Sequence, residues 1–147
     1  MKSLALIAHD HQKQTMMEWA KKHRSHLAAF RLVTTGTTGM LLEKVLGVSV
    51  TRYQSGPLGG DQQIGAQIVE GNIDGIIFFW DPLAAMPHDP DVRALLRLAT
   101  LWNIPMACNE ASADFIISSP LWQQDYQRTT HLIEEYQKIR KNFSHPS

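Results

Sequence analysis

The sequence predicts an α/β fold: a three-layer α/β/α sandwich built on a five-stranded parallel sheet, of the doubly wound Rossmann/flavodoxin kind, with residues 1–147 as a single domain. Three observations predict it. Apolar runs of strand length alternate with segments of helical period in the pattern β-α-β-α-β-α-β-α-β-α. Ile76, Ile77, Phe78 and Phe79 are consecutively apolar, which suits a strand covered by helices on both faces and not a strand with one wet face. Each apolar run is followed by a polar cluster, so the polar clusters gather at the carboxyl edge of the sheet, where open α/β sheets bind ligands.

The first strand, Ser3 to Ala8, exits into His9-Asp10-His11-Gln12-Lys13, and a helix spans Gln12 to His23. The second, Arg31 to Thr34, exits into Thr35-Gly36-Thr37-Thr38-Gly39; its helix, Thr38 to Leu46, stops at Gly47, a normal C-terminal signal. The third, Val48 to Tyr53, opens into the polar run Ser55 to Gln63 and a helix from Gln62 to Glu70. The fourth, Gly75 to Phe79, belongs mid-sheet and exits into Asp81 to Asp91. After it Asp89 can cap, Pro90 suits the first helical position, and Val92, Leu95, Leu96 and Ala99 recur at i, i+3, i+4 and i+7 of a helix from Pro90 to Trp102. The fifth, Pro105 to Cys108, exits into Asn109 to Ser112. In the last segment, Asp125 to Asn142, Leu132, Ile133, Tyr136 and Ile139 fall near one helical face, with Lys138, Arg140 and Lys141 complementing the dipole at its end. That stripe packs either on the domain or on another subunit. Right-handed crossovers complete the sandwich, and no internal repeat or linker divides it.

Composition narrows the function. A chain of 147 residues buries about 70% of its unfolded surface, enough for a substantial core. Lys and Arg number 14 and Asp and Glu 14, a formal net charge of zero. No global field therefore steers the chain to nucleic acid or an anionic membrane, and any anion must be held locally. The only cysteine, Cys108, excludes an intrachain disulfide and fits a reducing compartment; it reads as a buried small residue rather than a reactive thiol. Leu4 to Ala8 is too short for a secretory h-region or a membrane span. The expectation is a cytoplasmic protein.

The richest stretch is Gln54-Ser55-Gly56-Pro57-Leu58-Gly59-Gly60-Asp61-Gln62-Gln63, which brings three glycines, a proline and a carboxylate to the start of a helix. Asp61 there is either an N-cap, which would hold its pKa low, or a general base. A cap does not need the preceding glycines, which permit positive φ and close approach of backbone to a ligand. Thr35 to Gly39 offers hydroxyls and helix-start N–H groups that can surround a phosphate; it lacks the Gly-Lys-Ser/Thr ending of a nucleotide triphosphate loop, and the plain alternative is a turn capped by Thr. Ser55 and Gly56 add a second hydroxyl and amide. Lys13 is either a charge for the anion or a solvated surface residue. Asp91 is favoured in a first helical turn by the dipole whatever the function, and His88 is either a loop residue or the site's imidazole. A mixed metal site of His9, His11, His88, Asp89 and Asp91 is conceivable, but no His-Glu-x-x-His or paired Cys-x-x-Cys spacing supports one, so no metal is expected.

These motifs, with Phe78-Phe79-Trp80-Asp81-Pro82-Leu83, Pro87-His88-Asp89-Pro90-Asp91-Val92 and Ala8-His9-Asp10, closely resemble the methylglyoxal synthase family from about Ala5 to Asp114. The resemblance implies a lyase that converts dihydroxyacetone phosphate to methylglyoxal and inorganic phosphate without metal or organic cofactor. It further implies a homohexamer restrained by phosphate. Asp61 matches the family's catalytic base and His88 its catalytic histidine, while Asp10 and Asp91 match acids at the site. His9, Lys13, Thr35, Gly36, Thr37, Thr38, Ser55 and Gly56 match substrate-binding positions, and Arg140 is the candidate to approach a neighbouring subunit's site. Two other readings stay open: a ligand-binding module like the regulatory domain of large carbamoyl phosphate synthetases, and a lyase or isomerase acting on another phosphorylated ketone.

Overall fold

The computed structural model describes residues 1–84 and 89–144. Strands β1 (Ser3–Ala8), β2 (Arg31–Thr35), β3 (Thr51–Tyr53), β4 (Gly75–Phe79) and β5 (Met106–Ala107) form one sheet in the order β3-β2-β1-β4-β5, and every pairing is parallel. The helices are α1 (Lys13–Lys22), α2 (Arg24–Leu27), α3 (Gly36–Leu46), α4 (Gly60–Val69), α5 (Asp89–Leu101), α6 (Glu110–Ser118), α7 (Pro120–Gln123) and α8 (His131–Ser144).

Alternation along the strands divides the core. Leu4, Leu6, Ile77 and Phe79 face a layer supplied by α1, α3 and α6 through Met16, Trp19, Leu42 and Ile117. Ala5, Ile7, Ile76 and Phe78 face the other layer, where α4 and α5 contribute Ile64, Ile68, Val92 and Leu95. Both faces of β1 and β4 are buried, which is why these strands read as unbroken apolar runs. The chain steps outward from β1 through β2 to β3, then crosses back on the opposite face to place β4 beside β1. The order therefore reverses between β1 and β4, and a crevice opens outside their carboxyl ends.

The structure departs from the sequence expectations in the outer elements. β3 pairs only from Thr51, and β5 is reduced to Met106 and Ala107. The polar exit Asn109 to Ser112 is a helix start: the Asn109 side chain accepts the Ser112 N–H at 2.9 Å, and α6 then buries Ala113 and Ile117. The C-terminal helix begins at His131 rather than Asp125, after an irregular stretch over residues 124–130. On its stripe Leu132, Tyr136 and Ile139 are 54%, 57% and 53% exposed, while Ile133 is half-buried.

α1 and α6 are joined by a polar clamp. Asp114 accepts hydrogen bonds from Trp19 Nε1 at 3.1 Å and Lys22 Nζ at 3.3 Å and pairs with His23 Nε2 at 2.7 Å. The bond to His23, more than Lys22 and Trp19, holds the Asp114 carboxyl below its ordinary range against the opposing effect of burial. A depressed folded pKa means that the unfolded chain takes up the proton first as pH falls. The clamp's contribution is complete above the unfolded pKa of about 3.9 and disappears as pH drops through the lower folded value. Asp114→Asn is expected to reduce stability at pH 7 by up to about 1 kcal/mol, as for other solvent-screened pairs. Denaturant titrations of both proteins should show that difference shrinking below pH 4 or thereabouts.

Candidate active site

The crevice begins where β1 and β4 end. The His9 N–H donates to the Phe79 carbonyl at 3.0 Å, which extends the β1–β4 register by one residue. The Asp81 N–H in turn donates to His9 Nδ1 at 3.2 Å, and the imidazole stands edge-on to Phe78, with ring centroids 5.2 Å apart. As an acceptor Nδ1 carries no proton, so the neutral ring carries it on Nε2 and keeps that N–H as its donor. From the same exit Asp10 pairs with Lys13. The Lys13 hydrogen bond and charge hold the Asp10 carboxyl below its ordinary range.

The second wall is the start of α3. Thr35 precedes the helix in extended conformation and its side chain makes no capping bond, so the turn is not the Thr-capped one that the plain reading foresaw. The first turn of an α-helix leaves N–H groups without intrahelical partners, and here that turn consists of Gly36, Thr37, Thr38 and Gly39. Gly36 has φ +52°, and a Cβ on it would lie 2.9 Å from Ser55 Cβ. Only glycine therefore lets the helix start and the Ser55 loop come together.

The third wall is the glycine-rich turn. The Ser55 carbonyl accepts N–H groups from Leu58 at 2.9 Å and Gly60 at 3.0 Å, folding Gly56–Leu58 into a 3-10 turn. Gly59, at φ +100°, is the residue that caps α4. Asp61 is thus the second residue of the helix and not its cap, and it is only 6% exposed. A methyl group placed on Gly56 would lie 3.7 Å from each Asp61 carboxylate oxygen, so the acid faces the same turn that presents Ser55 and Gly56.

Together these walls enclose a cleft of about 470 Å³. His9, Asp10 and Lys13 line one side of it, the run Thr35 to Thr38 another, and Ser55, Gly56 and Asp61 the third. His11, Pro57 and Asp81 also line it. The sequence reading has His11 as a strand-exit residue and in a metal alternative, and Asp81 as a strand-exit residue within a family motif, but gives neither a role in this cleft; lying just after a mid-sheet strand is the signal for Asp81. Asp91 does not line this cleft. It borders an adjoining groove of about 250 Å³ between α4 and α5, which also reaches Asp61, and it accepts Gln62 Nε2 at 2.9 Å. His88 lies outside the described residues. Arg140 is on α8 and donates to the Tyr136 hydroxyl at 3.4 Å.

A cleft of about 360 Å³ also opens at the opposite edge of the sheet, beside Lys2, Asp74 and Pro105. Its polar groups are engaged locally, since Lys2 donates to the Trp122 and Gln124 carbonyls and Asp74 accepts the Ser3 N–H at 2.8 Å. Cys108 is half-buried rather than buried, and desolvation pushes its thiol up, which does not favour a nucleophile. Among the described residues, no group of three or more His, Cys, Asp or Glu side chains is placed to hold a metal ion, and no helix is long and apolar enough to cross a membrane.

A doubly wound α/β domain with a glycine-rich turn, a helix start and a buried carboxylate in one switch-point cleft has the form of a small-molecule enzyme. Comparison with known proteins narrows that class. The family model described as MGS-like domain matches residues 15–108. Methylglyoxal synthase from Photorhabdus laumondii is 63% identical over 123 residues, 84% of this chain and 81% of that protein. The Pseudoalteromonas atlantica methylglyoxal synthase is 60% identical over 121 residues, 82% of this chain and 90% of that one. The crystal structure of methylglyoxal synthase from Elizabethkingia anophelis superimposes with a TM-score of 0.86 at 52% identity, covering 93% of this chain and 90% of that chain. The chain belongs to the methylglyoxal synthase family and is an enzyme, a lyase.

Proposed function

We propose that this cleft converts dihydroxyacetone phosphate to methylglyoxal and inorganic phosphate. The observation that carries the reading is the facing of the Asp61 carboxylate and the Ser55–Gly56 turn across a space that the start of α3 also lines. Such a cleft can hold a phosphate beside a base. The α3 N–H groups, the threonine hydroxyls, Ser55 and Lys13 take the phosphate, with the helix dipole favouring its charge. Ionised Asp61 removes a proton from the hydroxymethyl carbon next to the ketone. His88 hydrogen-bonds the carbonyl oxygen as negative charge develops on it, and the His9 imidazole lines the cleft.

The electron pair of the broken C–H bond forms the enediolate. When the bridging C–O bond stands perpendicular to the enediolate plane, its σ* orbital overlaps the π system: the π pair forms the new C=C bond, the C–O pair leaves with phosphate, and the proton of the former hydroxymethyl O–H passes to the former carbonyl oxygen. The enol that remains tautomerises to methylglyoxal by taking a proton at carbon, so atoms and charge balance without oxidant or reductant. An isomerase working through the same intermediate would hold that bond in plane and reprotonate, so the phosphate grip sets the outcome as much as the base does.

Purified protein in excess EDTA should release phosphate and methylglyoxal in equal amounts from dihydroxyacetone phosphate and little from glyceraldehyde phosphate. Absence of both products from folded protein would favour the binding-module reading. For His88→Gln, kcat should fall with a smaller change in KM, because the bond to oxygen strengthens as charge develops; a loss confined to KM would make His88 a binding residue. Phosphate, as product and anion, should compete for the same turns. A homohexamer in the cytoplasm completes the proposal, supported by the largely exposed stripe on α8 and by the single cysteine.

A further inference from the structure

Asp61 is followed by two glutamines whose side chains both leave α4 to bond other parts of the site. Gln62 Nε2 donates to Asp91 Oδ1 at 2.9 Å, joining the first turn of α4 to the first turn of α5, the helix that begins directly after His88. Gln63 Oε1 accepts the Gln54 N–H at 2.8 Å, joining α4 to the end of β3, from which Ser55 and Gly56 follow. Gly60 completes the junction, because a Cβ there would lie 1.8 Å from the Gln54 carbonyl oxygen. The backbones of α4 and the β3 exit thus meet at the residue before Asp61. We infer that Gln62 and Gln63 are positioning residues, a two-sided brace that sets the Asp61 carboxylate at once against the phosphate turn and against the first turn of α5.

The inference rests on the proposed reaction, in which proton removal and phosphate departure require the base and the phosphate to be held in one geometry. A misplacement of about 1 Å in such an arrangement can cost about 10²-fold in rate. It also gives Asp91, which lies outside the main cleft, a function through Gln62. Both glutamine side chains are exposed at the surface, so neither contributes core packing whose loss would explain an effect on rate.

The two bonds run in opposite directions, and this separates a brace from general sensitivity to substitution. Gln62 uses its side chain as a donor, whereas Gln63 uses its own as an acceptor. Gln62→Glu loses the donor and sets two carboxylates face to face, although an acid in the first turn of α4 suits the helix dipole and preserves stability. Gln63→Glu keeps the oxygen that Gln54 needs. The experiment measures kcat and KM for dihydroxyacetone phosphate, the thermal midpoint, and hydrogen exchange at the Gln54 amide, in wild type, Gln62→Glu, Gln63→Glu and Gln63→Met.

Gln62→Glu should keep its thermal midpoint and lose roughly 10- to 100-fold in kcat. Gln63→Met should lose Gln54 amide protection together with rate, and Gln63→Glu should regain both. Equal kcat losses in the two glutamate variants, or wild-type kcat in Gln62→Glu and Gln63→Met, would overturn the brace. Wild type that makes no methylglyoxal would overturn the reaction instead, while Gln54 amide protection would still report on the Gln63 bond.

Discussion

Asp61→Asn is expected to lose turnover by about 10²- to 10⁴-fold, the usual contribution of a positioned base, while keeping its fold and its affinity for phosphate. Asparagine matches aspartate in size, so the buried site near Gly56 stays filled. As Asp61 is the second residue of α4 and not its cap, the loss of its charge near a helix start costs about 0.3–1 kcal/mol. Steady-state release of methylglyoxal, with isothermal titration of inorganic phosphate, checks both parts. Near-normal turnover would remove Asp61 from the role of base, and lost phosphate binding would show that the variant damages the turn itself.

Gly60→Ala is expected to be the most damaging single-methyl change in the site. The new Cβ would meet the Gln54 carbonyl oxygen at 1.8 Å and its carbonyl carbon at 2.8 Å. Both are backbone atoms, so no side chain can rotate away and the β3 exit must shift. Overpacking typically costs about 1–3 kcal/mol, and a backbone obstacle places this case at the upper end, a fall in Tm of about 6–12 °C for a chain of this size. The same shift moves Ser55 and Gly56 relative to Asp61, so turnover should fall by about 10²-fold or more even where the protein remains folded. Gly47→Ala is the control: it has φ +68° with nothing within 4 Å of its new methyl, so it should cost about 1–2 kcal/mol of left-handed strain and leave turnover intact. Calorimetric scans and assays at 25 °C compare the two. Wild-type Tm and rate in Gly60→Ala would mean that α4 and β3 do not meet as closely as described.

Much of this protein is written in local patterns. β1 and β4 run over the residues that their apolar stretches indicate, because a strand buried on both faces has no polar position to blur its limits. The helix after Pro90 carries a strong period and a strong start signal, and Gly47 ends α3 in the left-handed conformation that such glycines serve. The glycine-rich run ahead of Asp61 could be read as overbuilt for a cap, and the cap is indeed Gly59. α6 was missed because Asn109 to Ser112 reads equally as a loop and as a capped start, and only packing of Ala113 and Ile117 on the sheet decides between them.

What the sequence by itself determined, then, is the alternation of strands and helices, the parallel sheet, and the chemical type of each strand exit. Period, capping and turn preference act between neighbours in the chain and are legible there. Only the tertiary structure decided which exits meet. Strand order β3-β2-β1-β4-β5 comes from pairings between distant residues, and it places His9, Thr35 and Asp61 around one cleft while leaving Asp91 in the groove beside it. The acceptor role of His9 Nδ1 and the two directions of the glutamine bonds have the same origin. Each depends on a partner far away in sequence, and no local preference encodes the distance between them.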